Sequence, residues 1–389
     1  MSRKVLSVLL ATAMTASLLV GCGGAAAPAA DAAAPAATEE AAPAEDAAPA
    51  ADAAEEAPAS DAGAGMKVGV AMPTKDLQRW NQDGANMEEQ LKAAGYEVDL
   101  QFASNDVQTQ VSQIENMING GCNVLVIASI DGESLGTVLE TAKAANIPVI
   151  AYDRLIMGTD AVSYYATFDN YMVGTKQGQY IIDTLDLNNA AGPFTMEVTT
   201  GDPGDNNAKF FYNGAMDLLK PFIDEGKLVV KSGKYDFDSV ATQSWATENA
   251  QSRAENILSS FYADGTDLDV WLCSNDSTAL GVENALAANY KGKYPVITGQ
   301  DCDVANVKNM IDGKQSMSIF KDTRTLAAQV VKMVGQILNG ETVEVNDTKT
   351  YDNGKGVVPS FLCEPVFADI NNYKEILIDS GYYTEADLQ

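Results

Sequence analysis

Pro148-Val149-Ile150-Ala151-Tyr152-Asp153-Arg154 decides how the chain is read. A short apolar run stops abruptly at a carboxylate beside a guanidinium. This is the pattern of a buried parallel strand that hands two hydrogen-bonding side chains to its carboxyl end, the edge of an open α/β sheet where ligands bind. Three other runs end in the same way: Val270-Trp271-Leu272-Cys273 before Asn275-Asp276, Val296-Ile297-Thr298 before Gln300-Asp301, and Ser318-Ile319-Phe320 before Lys321-Asp322. A polar residue after a strand is often only the N-cap of the next helix. Four such endings, all planar or charged, point to strands converging on a polar site.

The pattern extends to both sides. Strands are expected at Met66–Ala71, Val98–Ala103, Val124–Ile127 and Tyr164–Phe168, with helices at Trp80–Ala94, Val107–Ile118, Ser134–Ala145 and Tyr171–Leu185. It restarts at Phe194–Thr199 and runs on to Met317–Phe320, with helices at Ala208–Leu219, Thr247–Ser259, Thr278–Ala288 and Val304–Ile311. Alternating strands and helices imply parallel sheets with right-handed crossovers. There are too many strands for one sheet of ordinary size. The fold class is therefore α/β, two Rossmann-like lobes with the site in the cleft between them.

The bulk composition excludes several functions. A formal charge of -29 argues against a nucleic-acid partner, which needs a basic surface. The chain has no histidine, so a Ser-His-Asp triad and a histidine-liganded zinc site are out. The five cysteines form no C-x-x-C pair. Cys122, Cys273, Cys302 and Cys363 lie in or beside apolar segments, where a free buried thiol is the usual state, although a Cys273–Cys302 bridge is conceivable. No phosphate-binding loop is present, and Gly63-Ala64-Gly65 precedes the first strand instead of following it, so neither NAD nor another cofactor is expected. No metal site is expected, and no nucleophile is assembled with a base.

Arg3 and Lys4 precede an apolar run from Val5 to Val20, too short for a comfortable membrane span and suited to a signal peptide over residues 1–21. The run closes Leu19-Val20-Gly21-Cys22, which resembles a bacterial lipobox and would make Cys22 a lipid anchor. Residues 22–65 are, after the cysteine, almost entirely Ala, Pro, Asp, Glu and Gly with no Lys or Arg, a solvated linker between membrane and folded body. The expected location is extracytoplasmic, lipid-anchored to the cell membrane.

What remains is a kit for neutral polyols. Asp and Asn take paired hydroxyls, Arg and Lys donate to oxygens, and aromatic faces stack on C–H bonds. Arg79-Trp80 follows the first strand, Asp205-Asn206-Asn207 precedes a helix, and Trp245 stands just before another. Each has a plainer reading. Trp80 fits a core position, Asp205 a simple N-cap, Trp245 a surface packing role, and Lys321 with Asp322 a structural pair. Asp153 and Arg154 could bridge to each other.

Taken jointly, several segments resemble the type I periplasmic sugar-binding proteins, in particular the xylose-binding and multiple-sugar (ChvE-like) branch. They are Met72-Pro73-Thr74, Arg79-Trp80, Tyr152-Asp153-Arg154, Asp205-Asn206-Asn207-Ala208, Ser274-Asn275-Asp276, Gly299-Gln300-Asp301 and Ile319-Phe320-Lys321-Asp322-Thr323-Arg324, within a similarity over residues 66–370. The resemblance implies lobes of 66–169 with 323–352 and 170–322 with 353–389, joined by a three-segment hinge. It implies that Arg79, Asp153, Arg154, Asn207, Asn275, Asp301 and Lys321 hydrogen-bond a monosaccharide between Trp80 and Trp245. The expected protein is a monomer, not an enzyme, that delivers sugar to the permease subunits of an ABC importer. A sensor coupled to a chemoreceptor or histidine kinase is the nearest alternative. A secreted carbohydrate-active hydrolase, with paired carboxylates about 5–10 Å apart, is a remote one.

Overall fold

In the computed structural model, residues 65–389 are described. The signal peptide, the Cys22 anchor and nearly all of the linker lie outside them. The first sheet has six strands: β1 (Lys67–Met72), β2 (Glu97–Phe102), β3 (Val124–Ile127), β4 (Val149–Tyr152), β5 (Tyr164–Phe168) and β11 (Ser360–Cys363), in the order β11-β5-β4-β3-β1-β2. Every pairing in it is parallel, with Val68 of β1 opposite Val98 and Val124.

Strand alternation gives this sheet two cores. Val68, Val70, Met72, Val124, Val126, Ile150 and Tyr152 face one side, where α1 (Gln78–Ala93) and α10 (Thr323–Leu338) supply Met87, Leu91, Val330 and Met333. The residues between them, Ala71, Leu125, Ile127, Val149 and Ala151, face α2 (Val107–Asn119) and α3 (Gly136–Ala144) through Ile114, Met117, Leu139 and Ala142. Both faces are covered, which is why these strands read as unbroken apolar runs. Truncating the fully buried Leu125 to Ala should cost about 2–5 kcal/mol.

The second sheet orders β7 (Leu228–Val230), β6 (Phe194–Thr199), β8 (Val270–Cys273) and β9 (Val296–Ile297), all parallel. A parallel bridge from Gln300 to Ile319 carries it on to β10 (Met317–Phe320), which pairs antiparallel with β12 (Val366–Asp369). Its helices are α4 (Asn170–Thr184), α5 (Asn206–Asp224), α7 (Thr247–Phe261), α8 (Asp276–Asn289) and α9 (Val304–Ile311), with one short turn, α6 (Phe237–Val240), after β7.

α4 and α5 touch backbone to backbone. A Cβ on Gly174 would sit 2.0 Å from the Phe211 carbonyl oxygen, and one on Gly214 2.2 Å from that of Tyr171. Only glycine permits this approach, and it locks the N-termini of the two helices side by side.

The chain passes between the sheets around Asp169, at Lys321-Asp322 and at Glu364-Pro365. Asp169 and Asp322 each end a crossing as an N-cap, accepting from the Met172 and Arg324 amides. The last crossing corrects the expected boundary near Asp352. Residues 353–389 do not stay together, because Ser360–Cys363 pairs in parallel with Tyr165–Phe168 and covers the open edge of β5. Only the segment from β12 onward joins the second lobe.

Candidate functional site

The strand ends deliver their polar residues to one place. Directly after β4, Asp153 turns into the left-handed region at φ 58°. Its carbonyl is held there by the Thr167 hydroxyl (2.9 Å) and by the Asn207 side-chain amide (2.6 Å), the second reaching over from the other lobe. Trp245 (φ 56°) and Asp301 (φ 99°) are also left-handed. Non-glycine residues adopt this conformation at a cost, and such residues cluster at sites where the surroundings enforce a geometry.

Charge pairs fill the space between the lobes. Arg79, on the first turn of α1, reaches Asp83 at 2.8 Å, Asp153 at 3.0 Å and Asp301 at 3.4 Å. Lys321, only 3% exposed, lies 3.2 Å from Asp301 and 3.7 Å from Asp153. Arg154 turns away from Asp153 and meets Asp205 at 3.0 Å, so the two neighbours do not bridge to each other. Burial pushes the Asp153 carboxyl up, but Arg79, Lys321 and Arg154 more than offset it and hold it below the usual carboxylate range. Asp205, with fewer cations around it, is raised by burial. Behind Arg79, burial lifts Asp83 to about 6 despite the guanidinium, and the Tyr152 hydroxyl donates to it at 2.5 Å.

The two indoles differ in setting. Trp80 is 2% exposed and belongs to the first-lobe core, yet the guanidinium carbons of Arg79 and Arg154 stand 4.5 and 5.0 Å from its ring centre. Trp245 lies on the backbone of Gly201, where an added Cβ would fall 1.9 Å from the ring. Its Nε1 donates to Asp205 at 3.2 Å, and Phe211 packs edge-on against it at 6.1 Å.

All nine residues expected from the sequence, Arg79, Trp80, Asp153, Arg154, Asn207, Trp245, Asn275, Asp301 and Lys321, line one cavity. Leu77, Asp205, Phe211 and Gln300 complete the lining. The free space among them is about 20 Å³, roughly the room of one water, because opposing charged groups are drawn onto each other. A larger cavity of about 510 Å³ adjoins it, sharing Arg154 and Trp245 as walls. Size does not make the larger one the better site. Asn105, Glu133, Pro203 and Lys209 in its lining are exposed, whereas every charged group of the smaller cavity is buried. The lobes meet beside the larger cavity through a main-chain bond, the Gly132 amide donating to the Gly204 carbonyl at 3.1 Å.

Residues 68–342 match the periplasmic binding protein domain. The chain belongs to the periplasmic binding protein family. It is 50% identical over 326 residues to the multiple sugar-binding periplasmic protein SbpA of Azospirillum brasilense, covering 83% of this chain and 91% of that one. It is 36% identical over 323 residues to the D-xylose-binding periplasmic protein of Escherichia coli, covering 83% and 92%. Among solved structures, an ABC transporter solute binding protein from Clostridium phytofermentans with bound β-D-glucose superposes with a TM-score of 0.82 at 74% identity, covering 83% of this chain and all of that one. The fold is the type I arrangement, α/β with parallel sheets and the cleft between lobes.

Within this periplasmic binding protein some strand-end residues serve structure. Asn275 lines the cavity and also caps α8 in a reciprocal capping box with Thr278. Asp276 is fully buried behind the site, accepting from Gln315, Ser318 and the Asp303 amide. Asp322 pairs with Arg324 outside the cavity. Asp205, read in sequence as a possible cap, is one, since it accepts from the Asn207 amide, but its other oxygen reaches Arg154 and Trp245. Gln300 stood at a strand end in the sequence, a signal that could have placed it. Phe211 and Leu77 carried none, being apolar residues on or beside helices. Cys122, Cys273, Cys302 and Cys363 are all free and buried, so the conceivable Cys273–Cys302 bridge does not form.

Proposed function

We propose that this protein is an extracytoplasmic receptor that binds a neutral monosaccharide of the xylose, glucose, arabinose or galactose type and hands it to an ABC importer. One observation carries the reading: a buried interlobe cavity whose lining combines carboxylates, amides and fixed cations with two indoles. Sugar hydroxyls both donate and accept, and this lining offers partners for both. A ring seated there parts Arg79 and Lys321 from Asp153 and Asp301, and its hydroxyls replace the contacts they give up. Trp80 and Trp245 both stand in the lining, and a ring that displaces the Arg79 and Arg154 guanidiniums from over Trp80 gains an indole face for its C–H bonds. The neighbouring larger cavity is the route in. Asp153, held below the ordinary carboxylate range, suits an acceptor of hydroxyls better than an acid catalyst, which needs a raised value. The names of the relatives agree with sugar as the ligand, and the glucose-bound relative is described as part of an ABC transporter.

On this reading the lobes 66–169 with 323–352 and 170–322 close by a hinge motion, and the joined surface is what the permease meets. Cys22 carries the lipid, on the strength of Leu19-Val20-Gly21-Cys22. The receptor acts as a monomer. Calorimetric titration of the ligand-stripped protein with xylose, glucose, galactose, arabinose, ribose and fucose tests the proposal. Micromolar or tighter binding of one or two sugars, about -8 kcal/mol or better, is expected. Silence across the panel would sink the monosaccharide reading and leave the fold untouched.

A further inference from the structure

Two consecutive tyrosines near the C-terminus, Tyr382 and Tyr383, cross from the second lobe to α1. The Tyr383 ring is buried in a second-lobe core with Cys302, Val307 and Leu377. Its hydroxyl leaves that core for the interface. It donates to the Cys302 carbonyl at 2.9 Å and accepts from Gln78 at 2.7 Å and Gln82 at 3.3 Å. The Gln78 side chain also accepts from the Val304 amide at 3.1 Å, and the Tyr382 hydroxyl donates to Gln82 at 3.1 Å. Tyr382 is itself seated edge-on against Phe320, with ring centres 4.7 Å apart.

The positions of these partners along the chain matter. Gln78 and Gln82 flank Arg79 on α1, and Cys302 follows Asp301. Arg79 and Asp301 are one of the pairs that meet across the cleft, at 3.4 Å. One phenol oxygen therefore holds a chain neighbour of each. Helix α1 is rigid, and Asp301 is locked in a left-handed turn, so fixing the neighbours fixes the pair.

We propose that Tyr383 is a positioning residue, a strap that registers α1 against the Asp301 turn and favours the closed cleft without touching the ligand. The inference rests on the receptor reading above. A strap of this kind acts on closure and not on recognition, so its loss weakens every sugar by the same factor and does so through the off-rate.

The test compares native protein with Tyr383→Phe, which keeps the buried ring and removes only the hydroxyl. D-glucose and D-xylose are titrated, and dissociation is followed by stopped-flow tryptophan fluorescence. Losing one or two interlobe hydrogen bonds should raise the dissociation constant about three- to ten-fold, equally for each sugar that binds, with the on-rate unchanged. Gln78→Leu, on the opposite lobe, should reproduce the effect, and because the two variants share the Gln78–Tyr383 bond the double variant should lose less than the sum of the single losses. A dissociation constant and off-rate within twofold of native, or a loss that differs between the sugars, would overturn the strap. If the native protein binds neither sugar, the comparison is made with whichever sugars of the panel above bind; silence across that whole panel fails the receptor reading first, and the strap's role in affinity fails with it.

Discussion

Arg79 meets Asp153 at 3.0 Å while its guanidinium also faces Asp83 and Asp301, so one buried cation organises three carboxylates. Removing Asp153 leaves Arg79 and Lys321 with less to balance them and takes away a charged acceptor for ligand hydroxyls. Asp153→Ala should lower sugar affinity by about 1.5–3 kcal/mol. Calorimetry on the variant checks this, and native-like affinity would remove Asp153 from the site.

Glu283 on α8 is a buried carboxyl whose desolvation outweighs the pull of the Lys314 ammonium. Burial raises it from 4.5 to about 8, against a hydrogen bond from Asn309. The folded state keeps the proton that the unfolded chain releases above pH 4.5. Stability from this group is therefore fully present below pH 4.5 and is lost as pH rises through about 8. Asp83, raised to about 6, adds to the same trend over a lower window. Glu283→Gln cannot ionise and should flatten the fall in melting temperature between pH 5 and pH 8. Parallel curves for the two proteins would show that Glu283 does not drive the slope.

Trp245 is held on the bare backbone of Gly201. Gly201→Ala forces the indole off its seat without changing the chemistry of any lining side chain. Sugar affinity should fall at least tenfold and the tryptophan emission should shift, with the far-ultraviolet circular dichroism unchanged. An unaltered spectrum and affinity would mean that the ring can be seated elsewhere.

The contact of α4 with α5 leaves no room for a methyl group at Gly214. Gly214→Ala overpacks backbone against backbone, where nothing flexible can yield. Destabilisation of about 1–3 kcal/mol is expected, read as a lower urea midpoint at unchanged slope. Gly136→Ala, with nothing within 4 Å of the new carbon, is the control and should show no such overpacking loss.

Much of this was legible in the sequence because the strands are buried on both faces and end in charge. An uninterrupted apolar run has few other homes, and a carboxylate or amide at its exit has to be satisfied somewhere. The same logic failed at β11. Ser360–Cys363 is four residues long, has only a single bridge, to Asp347, on its outer side, and returns to a strand almost two hundred positions earlier. Nothing local announces such a partner. Asp205 was half-read for a different reason. A cap and a cleft contact ask for the same residue type, and only the second carboxylate oxygen, turned to Arg154, separates them. Asn275 shows that both roles can be held by one side chain.

The bond from Gly132 to Gly204 joins the lobes through main chain alone. No side chain contributes to it, so no change of side-chain chemistry around the cavity need disturb it. One point of contact between the lobes is thus written in the main chain, while selection is written in side chains. A descendant of this protein could exchange recognising groups, drift to a different cargo, and still keep this one point where its lips touch.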